Sequence, residues 1–277
     1  MKTAKMKMNK TLLAAALTVA LGALSASALA YPSFTVQEGS VVGAAPNTIT
    51  ADRMVGGYTE VITFGPGNTF DASLLWNAGQ YFLGSTSPLA QMHNFGAGAY
   101  NLYGIYQASG TVSNVGGITV FTDTPGLGSL QVFIDPNSDT LFTAPGTGAG
   151  AWTTAGATGA EDYLIASGMP AGGAGLFNPA LPTCGTGGGG GINCGSFGTN
   201  TSFALTPAGE SYFFGPSPFY NISFQSGQLD NLTISGTQTI VGSLDVTFGT
   251  VPEPTGLALL GIGLAGLGLN SRRRKQA

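Results

Sequence analysis

The sequence predicts an all-β fold, an antiparallel β-sandwich or jelly-roll-like domain with long Gly-rich loops, over residues 31–250. The first observation is alternation, because apolar and polar or small side chains alternate in residues 58–64 and 238–248, as in strands with one buried face. The second is the presence of turn signals, since Gly- and Pro-containing turns such as 65–68 separate such segments. The third is composition: glycine supplies 45 of 277 residues, well above the usual ~7%.

Most of the remaining domain has strand and turn patterns that are weaker than those at 58–64 and 238–248. Residues 118–122 and 130–134 predict two strands separated by a turn at 124–126, and residues 72–83 are compatible with a short helix. The composition then shifts at 144–198, where 17 of 55 residues are glycine and only residues 161–165 have an ordered pattern. We therefore expect a Gly-rich loop insertion at 144–198.

Residues 1–30 have the organisation of a signal peptide. Lysines come first, an apolar run follows at 12–24, and small residues end in Ala28 and Ala30. This order predicts cleavage after Ala30, so that the mature chain begins at Tyr31. An uncleaved membrane helix is the alternative.

The charge between residues 31 and 254 has one sign. Thirteen acids share this stretch with a single base, Arg53, for a net charge of −12, while the other eight bases lie near the two ends. Nucleic-acid binding requires several Lys or Arg contacts with phosphate, so the composition excludes nucleic acid as a partner of this body. An anionic membrane surface is excluded for the same reason. Cations, neutral glycans and other proteins remain.

The C-terminal segment 251–277 combines three features. Pro252, Glu253 and Pro254 come first, an uncharged run follows at 255–271, and the basic residues Arg272, Arg273, Arg274 and Lys275 end it. The run would measure about 25 Å as a helix, which is the lower limit for crossing a bilayer. The basic cluster is expected to stay cytoplasmic. This pattern predicts a single hydrophobic helix that holds the exported body at the inner membrane.

The three parts of this segment resemble the PEP-CTERM sorting signal of Gram-negative bacteria that make exopolysaccharide. Pro252, Glu253 and Pro254 match the tripeptide of that signal. The resemblance implies that an exosortase, a membrane-embedded cysteine protease, recognises and removes the tail. The protein would then be anchored in the inner membrane only transiently, before it reaches the cell surface or extracellular matrix. A plain membrane anchor is the alternative.

The body is similar to the flocculation-associated PEP-CTERM family. The segments that carry this resemblance, in chain order, are 31–36, 56–64, 133–136 and 203–209. It implies a secreted, non-enzymatic protein that promotes flocculation or biofilm formation together with exopolysaccharide, and it leaves self-association open. A surface carbohydrate-binding module and an extracellular hydrolase are the alternatives.

Two further sets of residues are candidate sites. Cys184 and Cys194 are the only cysteines and flank a Gly-rich loop in an exported chain, which predicts a disulfide, with free thiols as the alternative. Asp135, Asn137 and Asp139 form a D-x-N-x-D pattern that suits either a weak calcium site or a turn capped by Asx side chains. The Gly and Glu that an EF-hand loop requires further along are missing.

Residues for catalysis are scarce, and the sequence predicts no catalytic site and no obligatory cofactor. His93 is the only histidine and no G-x-S-x-G nucleophile motif accompanies it, so we expect an ordinary loop or core histidine. The acids always allow some carboxylate pair, which neither supports nor excludes a glycosidase. The aromatic residues at 212–214 and 219–220 either stack on sugar rings or pack in the core.

Overall fold

The structure, a computed structural model, describes residues 32–93, 98–156, 162–184, 193–229 and 232–250. These residues form fifteen β-strands, one short helix α1 (Pro207–Tyr212) and a 3₁₀ turn (Glu38–Ser40). In chain order the strands are β1 (Phe34–Gln37), β2 (Thr48–Ala51), β3 (Arg53–Gly65), β4 (Thr69–Phe82), β5 (Asn101–Val115), β6 (Ile118–Asp135), β7 (Leu141–Thr143), β8 (Thr153–Ala155), β9 (Tyr163–Gly168), β10 (Pro170–Phe177), β11 (Gly195–Ser202), β12 (Ala204–Leu205), β13 (Phe213–Gly215), β14 (Ile222–Leu229) and β15 (Thr237–Gly249).

Eight of these strands close into an antiparallel barrel. Their order is β10-β11-β14-β15-β3-β4-β5-β6, and the ring closes where residues 119–122 of β6 pair with residues 174–177 of β10. The remainder of β6 pairs with β9, which carries the short strand β12 at its outer edge. The all-β prediction is confirmed, whereas the sandwich or jelly-roll prediction is wrong. Alternation shows that one face of each strand is buried, and this is equally true of a barrel and of a sandwich.

Inward-facing side chains of alternate residues fill much of the barrel. On β3 they include Met54, Tyr58 and Ile62, and on β4 they include Leu74 and Trp76, all of them buried in one large core. Glycines line other parts of the wall and leave space for these rings, as Gly104 does beside Trp76. The interior is therefore packed in part and hollow in part.

A second, smaller core lies on the outer face of the barrel. Leu75 of β4 and Tyr103 of β5 point outward, and Trp152 covers them and donates its indole N–H to the Ser73 carbonyl at 3.1 Å. Because β4 is apolar on both faces, its sequence has no clean two-residue period, which is why residues 72–83 were compatible with a helix. They lie in a strand instead, apart from Leu83, which follows it.

The Gly-rich segment 144–198 differs from the predicted loop insertion. It contributes β8, β9, β10 and part of β11, and β10 and β11 are barrel strands. Glycine is needed in several of these positions because backbones approach each other closely. A Cβ at Gly195 would overlap the Leu176 carbonyl, and one at Gly148 would overlap the Asp71 carbonyl. A high glycine content here marks tight strand packing as well as loops.

One end of the barrel is covered by a small three-stranded sheet, β13-β1-β2, together with α1. Five aromatic rings pack there in edge-to-face and tilted pairs, with centroids as close as 4.9 Å. We call these residues the aromatic plug: Phe34, Phe203, Phe213, Phe219 and Phe248. The opposite end carries the four turns or loops that follow β3, β5, β10 and β14, and we call it the hairpin end.

Candidate functional site

The predicted processing residues lie at the two ends of the chain. Ala28, Ala30 and Tyr31, together with the whole segment 251–277, fall outside the described residues. Within the described ranges, no helix is both long enough and apolar enough to cross a membrane. The last barrel strand, β15, ends at Gly249, directly before the tail.

A surface groove of about 370 Å³ lies on the outer side of the aromatic plug. Strand β13 explains its composition, because Phe213 points into the core while the next residue, Phe214, is 68% exposed. The loop after β13 adds Pro216 and Pro218, both exposed and both preceded by cis peptide bonds. Tyr220 closes the groove.

The groove combines aromatic surface with a few polar groups. The Tyr220 hydroxyl donates a hydrogen bond to the Ser33 carbonyl at 2.8 Å, which fixes the ring against the start of the body. Glu210 of α1 and Asn221 supply a carboxylate and an amide. Exposed rings beside a few polar groups suit a neutral, partly apolar ligand such as a sugar ring. The aromatic residues at 212–214 and 219–220 were expected either to stack on sugar rings or to pack in the core. Core packing holds for Tyr212 and Phe213, which are buried.

A buried polar network that no sequence pattern predicts lies near the plug. Glu38 is fully buried, and its carboxylate accepts hydrogen bonds from Asn47 Nδ2, from the Gln91 and Met92 amides and from the Tyr100 hydroxyl, at 2.8–3.2 Å. The Tyr100 hydroxyl is also 2.8 Å from that of Tyr212, which in turn contacts Tyr81. Burial raises the pKa of each tyrosine, so all three hydroxyls stay protonated and able to donate. The network links four segments that are distant in the sequence, and we interpret it as stabilising the fold.

A second acidic group lies inside the barrel toward the hairpin end. Glu60 of β3 and Asp123 of β6 line one cavity together with Tyr106 and Thr199. Burial, reinforced by the nearby Asp123 carboxylate, raises the pKa of Glu60 from 4.5 to about 7. Burial likewise raises the pKa of Asp123, although hydrogen bonds from Thr199 and Tyr106 oppose the shift. The alternation of Tyr58, Glu60 and Ile62 placed this carboxyl on an apolar face, and that signal was available in the sequence.

Comparison with known families gives one match. Residues 250–274 match the model of the PEP-CTERM protein-sorting motif. The chain carries a PEP-CTERM sorting motif. No curated protein and no solved structure matches the chain. The motif implies export, processing by an exosortase, and transient membrane anchoring before the protein reaches the surface.

In the body of this PEP-CTERM protein, the two cysteines lie at the hairpin end. Cys184 and Cys194 are joined by a disulfide, with their Cα atoms 4.4 Å apart, and both are buried. The Cys194 amide donates to the Leu229 carbonyl at 2.8 Å, which ties the loop after β10 to the end of β14. Residues 185–192 of this loop lie outside the described residues. The disulfide therefore secures the loop at its base.

The D-x-N-x-D segment forms a capped turn at the end of β6. The Asp135 side chain is 1% exposed and accepts hydrogen bonds from the amides of Asn137, Asp139 and Thr140, at 3.1–3.3 Å. The sequence allowed a weak calcium site or an Asx turn. This geometry favours the Asx turn, because the carboxylate already accepts hydrogen bonds from three backbone amides. Among the described residues, no cluster of three or more His, Cys, Asp or Glu side chains could hold a metal ion.

His93 lies on a loop and is exposed, with a positive φ of 54°. Its amide donates to the Tyr100 carbonyl at 2.8 Å. No hydrogen bond joins it to Ser, Cys or carboxylate side chains within the described ranges. The geometry gives it no part in the groove or in the barrel interior.

Proposed function

We propose that this is an exported, non-enzymatic protein of the cell surface or extracellular matrix that promotes flocculation or biofilm formation by binding exopolysaccharide. The observation that carries the proposal is the PEP-CTERM sorting motif at residues 250–274. The motif accounts for export and exosortase processing, and the body must then act outside the cell. The body has a net charge of −12, and Glu210, the one charged side chain among the described groove residues, is negative, so both favour a neutral glycan over an anionic one.

The similarity to the flocculation-associated family supports this proposal at the level of individual residues. Of the segments that carry it, 31–36 contributes Phe34 to the plug, and 203–209 contributes Phe203 and begins α1. Thr206 caps α1, accepting a hydrogen bond from the Gly209 amide at 3.1 Å. These segments therefore build the end of the barrel that carries the groove.

Cell aggregation tests the proposal directly. Cells that lack the protein should lose aggregation, and the wild-type gene should restore it. A Phe214→Ala gene should restore it only weakly, because the exposed ring in the groove is lost. Leu141→Ala is the matched control, since Leu141 is also 68% exposed but lies away from the groove. If Phe214→Ala and Leu141→Ala restore aggregation equally well, the groove is not the contact surface. If deletion of the gene leaves aggregation unchanged, the flocculation role is wrong.

A surface carbohydrate-binding module with no role in aggregation is the second candidate, and the groove itself favours it. A glycan array of the exported protein should show binding that Phe214→Ala reduces and Leu141→Ala does not. Binding to a defined glycan without any effect on cell aggregation would favour this candidate. Release of reducing ends from the purified exopolysaccharide would instead reveal a hydrolase and contradict the non-enzymatic proposal.

A further inference from the structure

The barrel interior contains two adjoining cavities of about 40 and 60 Å³. They share four wall residues: Leu74, Tyr106, Phe197 and Thr199. The smaller cavity lies under the aromatic plug and the larger one toward the hairpin end. One water molecule needs about 10–15 Å³ of such space, so the two cavities together have room for a small molecule. The walls are mostly apolar, so the few polar atoms that face them stand out.

Those polar atoms include acceptors that lack a donor. The Gln225 side chain is 8% exposed and lines the smaller cavity, and its Oε1 has no hydrogen-bond partner among the described residues. Its Nε2 donates to Thr201 Oγ1 at 2.9 Å and to Ser223 Oγ at 2.7 Å. In the flipped orientation these hydroxyls would donate to the amide oxygen, and the NH2 group would instead be the polar group in the cavity without a partner. In the larger cavity, no described residue donates a hydrogen bond to the Glu60 carboxyl. A buried acceptor such as Gln225 Oε1 normally finds a donor.

Strand register brings the acceptors of the two cavities into one row. Asp123 neighbours Gly173, Gly173 pairs with Thr199, and Thr199 pairs with Gln225, so these residues lie side by side across four strands. The glycine leaves the row open, because a Cβ at Gly173 would overlap Asp123 Oδ2 and crowd Thr199. Glu60 faces the same space from β3. The polar part of the interior is thus a band that holds the Glu60 and Asp123 carboxyls, the Thr199 hydroxyl and the Gln225 amide.

Among the residues that the structure describes, this band has no counter-ion. The single base between residues 31 and 254, Arg53, pairs with Asp52 at 3.3 Å, stacks over the Phe82 ring at 4.7 Å, and lines neither cavity. Two carboxyl groups in an apolar space without a cation are costly when ionised. A ligand that brings a positive charge would remove that cost.

We propose that the barrel interior binds a small aliphatic ammonium compound, with its charge at Glu60 and Asp123 and its apolar part against the aromatic walls. Phe70, Phe121 and Phe197 supply faces suited to a cation with an alkyl chain. A hydroxyl or second amine at the far end of the ligand would donate to Gln225 Oε1. A calcium ion fits less well, because it requires six to eight oxygen ligands and the larger cavity offers two carboxylates and two hydroxyls.

Titration calorimetry on the exported protein at pH 8, with n-propylammonium chloride as the probe, tests the proposal. Saturable binding is expected in the millimolar range or tighter, together with an increase in Tm. Glu60→Gln, which keeps the shape and removes the charge, should weaken binding at least tenfold. Asp245→Asn is the matched control, since Asp245 alternates with the inward-facing Leu244 and Val246 on β15 and lines neither cavity. It should bind as the wild type does.

A second probe separates a real site from a general charge effect. The compound 3-amino-1-propanol adds one hydroxyl donor to the same chain, so it should bind severalfold more tightly than n-propylammonium. Gln225→Leu should abolish that difference and leave n-propylammonium binding intact. A misfolded variant would lose both ligands, whereas Glu60→Gln should show an unchanged or higher Tm without ligand. Equal binding by wild type and Glu60→Gln, equal heats with sodium or calcium chloride, or no binding at all would overturn the proposal.

Discussion

The two ends of the barrel are built on different physical principles. At the plug end, five aromatic rings pack closely and the buried Glu38 carboxylate has a full set of donors. At the hairpin end, a disulfide joins Cys184 to Cys194, and the Glu60 carboxyl lies beside Asp123 with no cation near it among the described residues. One end satisfies its buried groups within the protein, and the other leaves groups that a ligand could satisfy.

This difference between the two ends indicates where a mutation can change ligand binding without changing the stability of the fold. The groove proposed for glycan lies on the outside of the well-packed end, so an exposed ring can be removed there without disturbing the core. The cavity proposed for an ammonium compound lies within the less satisfied end, so changes there alter stability and binding together. Mutations at the two ends should therefore differ in how they change stability and binding.

The largest effect is expected for Phe34→Ala at the plug end. Phe34 is 1% exposed and contacts four other rings, so its truncation should lower the free energy of unfolding by about 3–5 kcal/mol. Denaturant unfolding measures this loss. A change below ~1 kcal/mol would show that the plug is loosely packed and that the proposed contrast between the two ends is wrong.

The second effect is a pH dependence that arises at the hairpin end. The pKa of Glu60 is about 7 in the folded state and near 4.5 in the unfolded state, so the folded state binds more protons between these values. The stability associated with Glu60 is fully present below pH 4.5 and is lost as pH rises through 7, by at most about 3 kcal/mol. Asp123 shifts in the same direction. Thermal unfolding between pH 5 and pH 8 should show the decline.

Glu60→Gln is the control for that prediction. The variant should lose most of the decline between pH 5 and pH 8 and should be more stable than wild type at pH 8. A pH profile that is the same in both proteins would assign the dependence to other groups.

The third effect concerns the disulfide. Replacing Cys184 and Cys194 together by serine should cost about 2–3 kcal/mol, the loop-closure value for a separation of 10 residues. Reduction of the wild type should lower the Tm to that of the double variant. Non-reducing peptide mapping of the exported protein should find the two cysteines linked, and two thiols free to alkylation would contradict the prediction.

The smallest effect on stability is expected for Phe214→Ala in the groove. An exposed side chain contributes little to folding, so the change should stay within about 0.5 kcal/mol while glycan binding falls. Denaturant unfolding and the glycan array, performed on the same preparation, compare the two quantities. A large loss of stability would show that Phe214 belongs to the plug, and the groove would then need redefinition.

Much of the fold could be predicted from the sequence, because alternation reports burial strand by strand. Residues 58–64 and 238–248 both lie in barrel strands, as their patterns indicated. Alternation does not show which strands are neighbours, so the pairing of β6 with β10 that closes the barrel could not be predicted. It also fails where both faces are covered, as in β4, and at 124–126, where the turn signal marks an irregularity within β6.

The candidate sites were predictable to different degrees. Phe214 and Tyr220 were identified by their composition, but only the structure separates the exposed ring from buried Phe213. No site was predicted at Glu60, although its place between Tyr58 and Ile62 in the alternating segment puts a carboxyl on an apolar strand face. The Glu38 network could not be predicted, because its hydroxyl groups come from residues 81, 100 and 212, and only tertiary structure brings such distant positions together.

The last strand of the barrel has a kinetic consequence. β15 pairs with β3, and the hydroxyls of Thr63 and Thr237, which are 174 positions apart in the chain, lie 2.8 Å from each other. Contacts of such long range slow folding, because much of the chain must be ordered before they form. The barrel cannot close until residues up to Gly249 are available, and the sorting motif begins at the next residue. Until then the interior cavities do not exist, so any ligand that they bind must be taken up after the whole body has been synthesised.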